Sequence, residues 1–235
     1  MLLLFDIDGT LLQNAAEAHR DAIREALHTV HGVRDPPRRG VEVAGRTDAE
    51  IVRGMLTAAG VSADRIDERA DDVRIAACEA YARLCPDDLS AHVAPGMSGL
   101  LARLAAQDGI VLALVTGNFE PIARMKLRSA GIGRFFAPRQ GGFGSDHEDR
   151  TMLPEIARRR AGRDDDNPWP ARRTVVIGDT PRDIACARAD GVRVAAIATG
   201  PYEAAELQDA DGVARDATEL DAILQRWLAV GTLPS

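Results

Sequence analysis

Cysteine and long apolar runs are scarce in this sequence. The three cysteines are an odd number and lack the spacing of metal ligands, which argues against a disulfide framework and a zinc site: Cys78, Cys85 and Cys186. No apolar run approaches the roughly 20 residues of a membrane-spanning helix, and the apolar opening lacks the basic residues and cleavage pattern of a signal peptide. We therefore expect a protein of a reducing compartment, the cytoplasm, without a membrane partner.

Positive charge is also in the minority. The net charge is −7 and no run of basic residues is visible. Because neutralising phosphates needs a basic face, we expect no nucleic-acid partner. The 235 residues, of which 46% are apolar, suffice for one large domain or one domain with a sizeable insertion. A soluble metabolic protein is the default expectation.

The first stretch of the chain, MLLLFDIDGTLL, predicts a buried strand that ends in two carboxylates. Asp6 and Asp8 alternate, so both emerge on one side at the strand's carboxyl end, where open α/β sheets hold their ligands. Two adjacent like charges favour a bound cation, and hard oxygen ligands suit Mg²⁺. Taken alone, the stretch is also compatible with a buried strand followed by an acidic turn.

Residues from about 14 to 90 follow helical spacing. The first predicted helix starts near Asn14 and is closed by Gly32 and Pro36-Pro37; its histidines are expected to be packing or surface residues, because no acidic or cysteine partner stands at a matching interval: His19, His28 and His31. Thr47 and Glu50 have the spacing of a capping box, which predicts a second helix from Thr47. A third helix is predicted from about Ala63 to Leu84.

Beyond residue 93, apolar strands alternate with helices. Strands are predicted at 110–115, 174–178 and 192–198, with short ones around either Phe135-Phe136 or Phe143 and at 212–214. The pattern indicates an α/β fold: a doubly wound parallel, Rossmann-like sheet in residues 1–13 and 93–235, with an inserted helical cap domain at 14–92. The insertion begins just past the end of the first strand, so we expect it to cover the site. The aspartate-rich stretch 163–173 is expected to be a solvated loop.

Two later strands end in polar clusters like that of the first. One runs into Thr116-Gly117-Asn118 and another into Asp179-Thr180-Pro181. In a parallel sheet these clusters meet at one edge, where carboxylates form an oxygen cage for Mg²⁺ and a hydroxyl with backbone amides cradles an anion. A cation beside an anion cradle is typical of phosphoryl transfer. Structural alternatives are that Thr116 merely ends a strand and that Asp183 caps a helix begun by Pro181.

These clusters, in this order, resemble motifs one, two and four of the haloacid dehalogenase-like (HAD) hydrolase superfamily, and the helical insertion is similar to a type 1 cap. The resemblance implies that Asp6 is a nucleophile that forms an aspartyl-phosphate. It implies that Asp8 protonates the leaving group and then activates water. It also implies metal and phosphate ligands: Asp6, the Asp8 carbonyl and Asp179 with assistance from Asp183 for Mg²⁺; Thr116, Gly117 and Asn118 for the phosphoryl group.

The third motif departs from the family pattern. The family usually places a lysine shortly before a helix, where this sequence offers Arg150. Arginine is a permanently charged, bidentate phosphate partner, so we favour Arg150 for catalysis and phosphate binding. Lys126, the sole lysine of the sequence, is either a surface residue or a substitute. Arg46, in a turn before a cap helix, is a candidate for substrate binding or a solvated arginine.

The function expected from this resemblance is a Mg²⁺-dependent phosphatase for a small phosphorylated metabolite, similar to phosphoglycolate phosphatases, as a monomer or homodimer. Haloacid dehalogenases lack the second acid of the first motif, so Asp8 favours phosphorus chemistry. Phosphonatases use a cap lysine, and this cap has none. Two alternatives stay open: a β-phosphoglucomutase-like phosphomutase and a non-catalytic HAD-fold binding protein.

Overall fold

Six parallel strands form one sheet at the centre of the computed structural model, which describes residues 1–36, 43–162 and 167–231. Their order across the sheet is β3-β2-β1-β4-β5-β6. The strands are β1 (Leu2–Phe5), β2 (Val111–Thr116), β3 (Gly142–Phe143), β4 (Thr174–Gly178), β5 (Arg193–Ile197) and β6 (Gly212–Ala214). The predicted parallel α/β sheet is confirmed.

The register of the central strands sets the position of the polar clusters. Phe5 at the end of β1 lies opposite Leu114 of β2 and Ile177 of β4. All three strands run in the same direction, so the residues that follow them emerge at one edge of the sheet. The strand residues themselves are buried on both faces, as in sheets covered by helices on both sides.

Nine helices are described: α1 (Glu17–His31), α2 (Asp48–Ala58), α3 (Ala63–Glu68), α4 (Ala70–Leu84), α5 (Met97–Ala105), α6 (Glu120–Ser129), α7 (Leu153–Ala161), α8 (Pro181–Ala189) and α9 (Ala217–Gly231). Leu3 and Phe5 pack with α5, α6 and α9 on one face of the sheet. Leu2 and Leu4 pack with α7 and α8 on the other face. None of these described helices is both long and apolar enough to cross a membrane.

Helices α1 to α4 form a separate apolar cluster between β1 and α5. Ala22, Ile23 and Leu27 of α1 pack with Val73, Ala77 and Tyr81 of α4. Phe119 and Ile122, at the start of α6, join the same cluster. The cap is therefore seated on the helix that follows β2, while its proposed limits at 14–92 stay a prediction.

The third predicted helix is wrong as a single element. Arg69 has φ −112° and ψ 12°, which is not helical, and divides the segment into α3 and α4. Helix α3 packs against α2, whereas α4 lies along α1, so one straight helix cannot serve both partners. Pro37 and residues 163–166 of the predicted solvated loop lie outside the described residues.

Candidate active site

A cavity of about 300 Å³ opens between the carboxyl edge of the sheet and the cap helices α1 and α2. The residues predicted from three separate strand ends meet there: Asp6, Asp8, Thr116, Gly117, Asn118 and Asp179. Arg150 and Arg46 also line it. On the cap side the wall is largely apolar, with Ile23, Ile51 and Met55. Of the predicted site residues, Asp183 is the one outside the cavity lining among the described residues.

Asp6 is held at the end of β1. Its amide donates to the Ile177 carbonyl oxygen at 2.9 Å, and only 4% of the residue is exposed. Arg150 Nη2 lies 3.2 Å from Asp6 Oδ2. Burial raises the pKa of Asp6 to about 6, although the Arg150 charge opposes that rise. A cation bound beside Asp6 would lower that pKa further and favour the carboxylate.

Asp179 faces Asp6 from the end of β4. Thr10 Oγ1 donates to Asp179 Oδ1 at 2.9 Å, whereas the buried Oδ2 has no hydrogen-bond partner among the described residues. Two glycines leave room for this carboxylate, because a Cβ at Gly9 or at Gly200 would collide with it. Burial and the charges of Asp183 and Asp6 raise the pKa of Asp179 to about 8.

A cation would satisfy this arrangement. Oxygens of Asp6, Asp179 and Asp183 lie within 4.8 Å of one another, and the unpartnered Asp179 Oδ2 is buried beside them. A buried carboxylate oxygen without a partner is costly unless an ion or water meets it. The oxygen donors fit a hard divalent cation such as Mg²⁺.

Asp183 is engaged on both carboxylate oxygens. Its Oδ2 accepts from the Thr180 amide at 3.0 Å and from Thr180 Oγ1 at 2.7 Å, which completes a capping box at the start of α8. Its Oδ1 accepts from Arg150 Nη2. Arg150 also donates through Nη1 to the Gly45 carbonyl oxygen at 3.1 Å. Asp183 thus caps a helix and anchors the arginine that faces Asp6.

Asp8 has a different environment from Asp6. Lys126 Nζ donates to Asp8 Oδ1 at 2.8 Å and to Oδ2 at 2.6 Å, and Asn118 Nδ2 donates to Oδ2 at 3.0 Å. Burial would raise the pKa of Asp8, but the charge of Lys126 and the hydrogen bonds from Lys126 and Asn118 outweigh it and hold that pKa below its usual range. About 33% of the Asp8 side chain is exposed.

The two candidate basic residues therefore contact different carboxylates. Arg150 contacts Asp6 and Asp183, and Lys126 contacts Asp8. Lys126 is completely buried and is not a surface residue. The residue types alone do not reveal which basic residue contacts which carboxylate, because this depends on the packing of α6 beside Asp8.

Gly117 joins the loop that follows β2 to the cap. The Asp48 amide donates to the Gly117 carbonyl oxygen at 2.7 Å, and a Cβ at Gly117 would collide with the Arg46 carbonyl. Thr116 is buried, and its Oγ1 accepts from the Asn118 amide at 3.4 Å. The Arg46 side chain lines the cavity but is ion-paired with Glu50.

His19 and Asp48 were not predicted as part of the site. His19 is 7% exposed; its Nε2 lies 3.0 Å from Asp48 Oδ2 and its Nδ1 lies 3.1 Å from Lys126 Nζ. Asp48 Oδ2 also accepts from the Phe119 amide at 2.7 Å. The sequence interval between His19 and Asp48 gave no sign of this contact, because folding brings together residues that no sequence interval connects.

The chain is similar to known proteins in sequence and in fold. A family model described as haloacid dehalogenase-like hydrolase matches residues 3–188. The chain is 30% identical over 200 residues to a phosphoglycolate phosphatase from Rhodospirillum rubrum, covering 84% of this chain and 79% of that protein.

Solved structures with the same fold include a mutant of CbbY from Rhodobacter sphaeroides in complex with xylulose-1,5-bisphosphate, with a TM-score of 0.66 and 23% identity over 93% of this chain and 95% of that one. A hydrolase from Pseudomonas syringae has a TM-score of 0.64 and 21% identity, covering 95% of this chain and 97% of that chain.

Proposed function

Since the chain belongs to the family of haloacid dehalogenase-like hydrolases, we propose that it is a Mg²⁺-dependent phosphatase that hydrolyses a small phosphorylated metabolite through an aspartyl-phosphate on Asp6. The observation that carries the proposal is that two carboxylates from the end of one strand, Asp6 and Asp8, line one cavity with different partners. Asp6 faces Arg150, whereas Asp8 is held by Lys126 and Asn118. Contacts as different as these suit the two carboxylates to different chemical roles.

In the first step, a carboxylate oxygen of Asp6 attacks the phosphorus atom and the bond from phosphorus to the ester oxygen breaks. Asp8 takes up a proton when the anionic phosphate binds beside it, because a like charge raises the pKa of a carboxyl group, and gives that proton to the leaving oxygen, which departs as a hydroxyl group. Arg150 faces the negative charge on the transferring phosphoryl group. Thr116 and the amides of Gly117 and Asn118, which line the same cavity, would hold the remaining phosphoryl oxygens.

In the second step, water attacks the phosphorus atom of the aspartyl-phosphate. Asp8 takes a proton from that water, the bond from phosphorus to the Asp6 oxygen breaks, and inorganic phosphate leaves. Asp8 then holds a proton again, as it did once the substrate was bound, and Asp6 is regenerated as a carboxylate. The overall change is hydrolysis of one ester bond.

The groups that would hold Mg²⁺ are Asp6, Asp179 and the backbone carbonyl of Asp8. Asp183 lies next to these ligands and would assist them. When bound, Mg²⁺ supplies positive charge that neutralises the nucleophile and the phosphate. The unpartnered Asp179 Oδ2 and the raised pKa values of Asp6 and Asp179 support this assignment.

The volume and lining of the cavity indicate which class of substrate it accepts. Its volume of about 300 Å³ suits a small metabolite, and its cap-side wall contains Ile23, Ile51 and Met55. Arg20, at the same cavity, is exposed, and its side chain has no ion-pair partner in the described part of the chain. We expect a phosphomonoester with a second anionic group for Arg20, and phosphoglycolate is a natural first candidate by similarity to the relative.

The direct test measures phosphate release by the purified protein from a panel of phosphorylated metabolites, with Mg²⁺ or a chelator. Asp6→Asn is the control because it removes the nucleophile and keeps the shape of the side chain. Metal-dependent release from particular compounds, lost in Asp6→Asn, is the expected result. Transfer of the phosphoryl group to another position of a sugar phosphate, without free phosphate, would instead identify a phosphomutase.

Absence of both release and transfer across the panel, with binding of a phosphorylated compound retained, would favour a non-catalytic binding protein.

The cytoplasmic location and the monomeric or homodimeric state are also proposed. The net charge of −7 supports the absence of a nucleic-acid partner.

A further inference from the structure

Lys126 is singular in both composition and placement. It is the only lysine among the 29 lysine and arginine residues of the sequence. Its side chain is completely buried in α6, although ammonium groups are rarely buried without paired charge. A chain that otherwise uses arginine for every permanent positive charge has a lysine at one buried position, which points to a requirement for that particular group.

The contacts of the Lys126 ammonium group explain why a lysine is required at this position. An ammonium group carries three hydrogen-bond donors. Here it meets both Asp8 carboxylate oxygens at 2.8 and 2.6 Å, Asn118 Oδ1 at 2.9 Å and His19 Nδ1 at 3.1 Å. An arginine is larger and presents five donors in a planar fork, which does not match a compact closed site of this kind.

The Asn118 side chain fixes the same carboxylate from a second direction. Its Oδ1 accepts from Lys126, so its Nδ2 is oriented to donate to Asp8 Oδ2 at 3.0 Å. Asp8 is therefore bound by two side chains that also bind each other. The exposed part of Asp8 is left free to face the cavity.

The cap also contacts Lys126, through His19. Because Lys126 can only donate, His19 Nδ1 accepts, which places the ring proton on Nε2 and directs it to Asp48 Oδ2 at 3.0 Å. Asp48 is tied in turn to the Phe119 amide at 2.7 Å. His19 lies on α1 and Asp48 begins α2, so a continuous chain of hydrogen bonds runs from the cap to Asp8.

We propose that Lys126 is a positioning residue that holds the Asp8 carboxylate in the orientation from which it removes a proton from the water that attacks the aspartyl-phosphate, and that the docked cap secures Lys126 through His19 and Asp48. This inference rests on the proposed function, because it requires Asp6 to be phosphorylated. It assigns to Lys126 a task separate from that of Arg150, which faces Asp6.

The test is a rapid-mixing experiment with p-nitrophenyl phosphate, whose leaving group departs readily without a proton donor. Lys126→Met keeps the length of the side chain and removes the ammonium group. Phosphorylation of Asp6 should stay fast and its hydrolysis should become slow. We expect a burst of about one nitrophenolate per enzyme, a steady-state rate at least ~10-fold lower, and accumulation of phosphorylated protein detected by intact mass.

Arg128→Met is the matched control, since it removes one positive charge from an exposed position of the same helix. It should show the wild-type rate and no burst. Equal behaviour of Lys126→Met and Arg128→Met would overturn the proposal. So would a folded Lys126→Met protein that loses both the burst and the turnover, because Lys126 would then act in the first step.

Thermal unfolding of each variant monitors folding. If Lys126→Met does not fold, His19→Ala decides, because it removes one support of the lysine and leaves the lysine itself. We expect the same burst with a smaller loss of rate, and wild-type kinetics in His19→Ala would refute the role. Failure of the proposed function is separately visible, because the wild-type protein would then not hydrolyse any phosphate ester in the presence of Mg²⁺.

Discussion

The amide of Asp48 donates to the carbonyl oxygen of Gly117 at 2.7 Å, and this hydrogen bond joins the first residue of cap helix α2 to the loop that follows β2. The backbones approach so closely that a side chain at Gly117 would meet the Arg46 carbonyl. The cap is therefore seated directly on the proposed phosphate-binding loop.

Replacing Gly117 with alanine should separate the cap from that loop. We expect a destabilisation of about 1–3 kcal/mol, as for overpacked sites, together with a lower kcat/KM. Gly99→Ala is the control, since Gly99 lies on an exposed face of α5, where a Cβ would make an ordinary van der Waals contact with Arg103 Nη1 at 3.5 Å. It should stabilise the protein by about 0.5–1 kcal/mol. Urea unfolding and steady-state kinetics measure both, and similar values for the two variants would contradict the close approach.

Thr47 makes two hydrogen bonds with one hydroxyl group. Its Oγ1 accepts from the Glu50 amide at 3.1 Å and donates to the Glu148 carbonyl oxygen at 2.7 Å, so it caps α2 and ties it to the core. Thr47→Val keeps the shape and removes both bonds, and it should lower the free energy of unfolding by about 1–2 kcal/mol. Thr47→Ser should retain most of the stability. A valine variant as stable as the serine variant would show that the hydroxyl contributes nothing.

Arg150 is the cation between two buried carboxylates, Asp6 and Asp183. Arg150→Met would leave both carboxylates without this cation. In chelator we therefore expect the free energy of unfolding to fall by about 3–5 kcal/mol. In Mg²⁺ we expect a large loss of turnover. Arg159→Met, which breaks an exposed pair with Glu155 on α7, should change stability by less than about 1 kcal/mol. Urea unfolding and phosphate release report the two effects, and full turnover in Arg150→Met would refute the role of Arg150.

Stabilisation by Mg²⁺ should increase with pH. In the metal-free protein the pKa values of Asp6 and Asp179 are raised to about 6 and about 8, so the folded state keeps protons that the unfolded chain releases near pH 4. The contribution of these two groups to folding stability then falls as the pH rises from about 4 to 8. Mg²⁺ binds the ionised carboxylates, so the increase in Tm that it produces should be larger at pH 8 than at pH 5.

The control for that measurement is Asp179→Asn, which should lose most of the Mg²⁺-dependent rise in Tm at both pH values. Thermal melts in Mg²⁺ and in chelator give the comparison directly. A rise in Tm that is equal at pH 5 and pH 8 in the wild-type protein would contradict proton release on metal binding.

The sheet and the carboxylates on it were predictable because their signals are local. Each buried strand is a continuous apolar run, and the residues at its end follow from the chain itself, as with Asp6 after β1 and Asp179 after β4. The capping role of Asp183 was also visible, since Thr180, Pro181 and Asp183 carry the spacing of a helix start.

The network around Asp8 was not predictable from the same evidence. Lys126 lies 118 residues from Asp8 along the chain, and His19 lies 107 residues from Lys126. Their contact depends on how the cap packs on α6, and no periodicity or motif encodes that packing. The break at Arg69 was hidden for a similar reason, since the apolar stripe continues through it while the two halves pack on different helices.

The burial of Lys126 has a consequence for chemical labelling. With the only ε-amine of the sequence enclosed in the site, reagents that acylate lysine find no lysine target on the surface of the folded protein. Acylation of Lys126 would then proceed only through molecules whose site has opened. The rate at which Lys126 is acylated therefore reports the opening of the cap. A ligand that closes the cap should lower this rate.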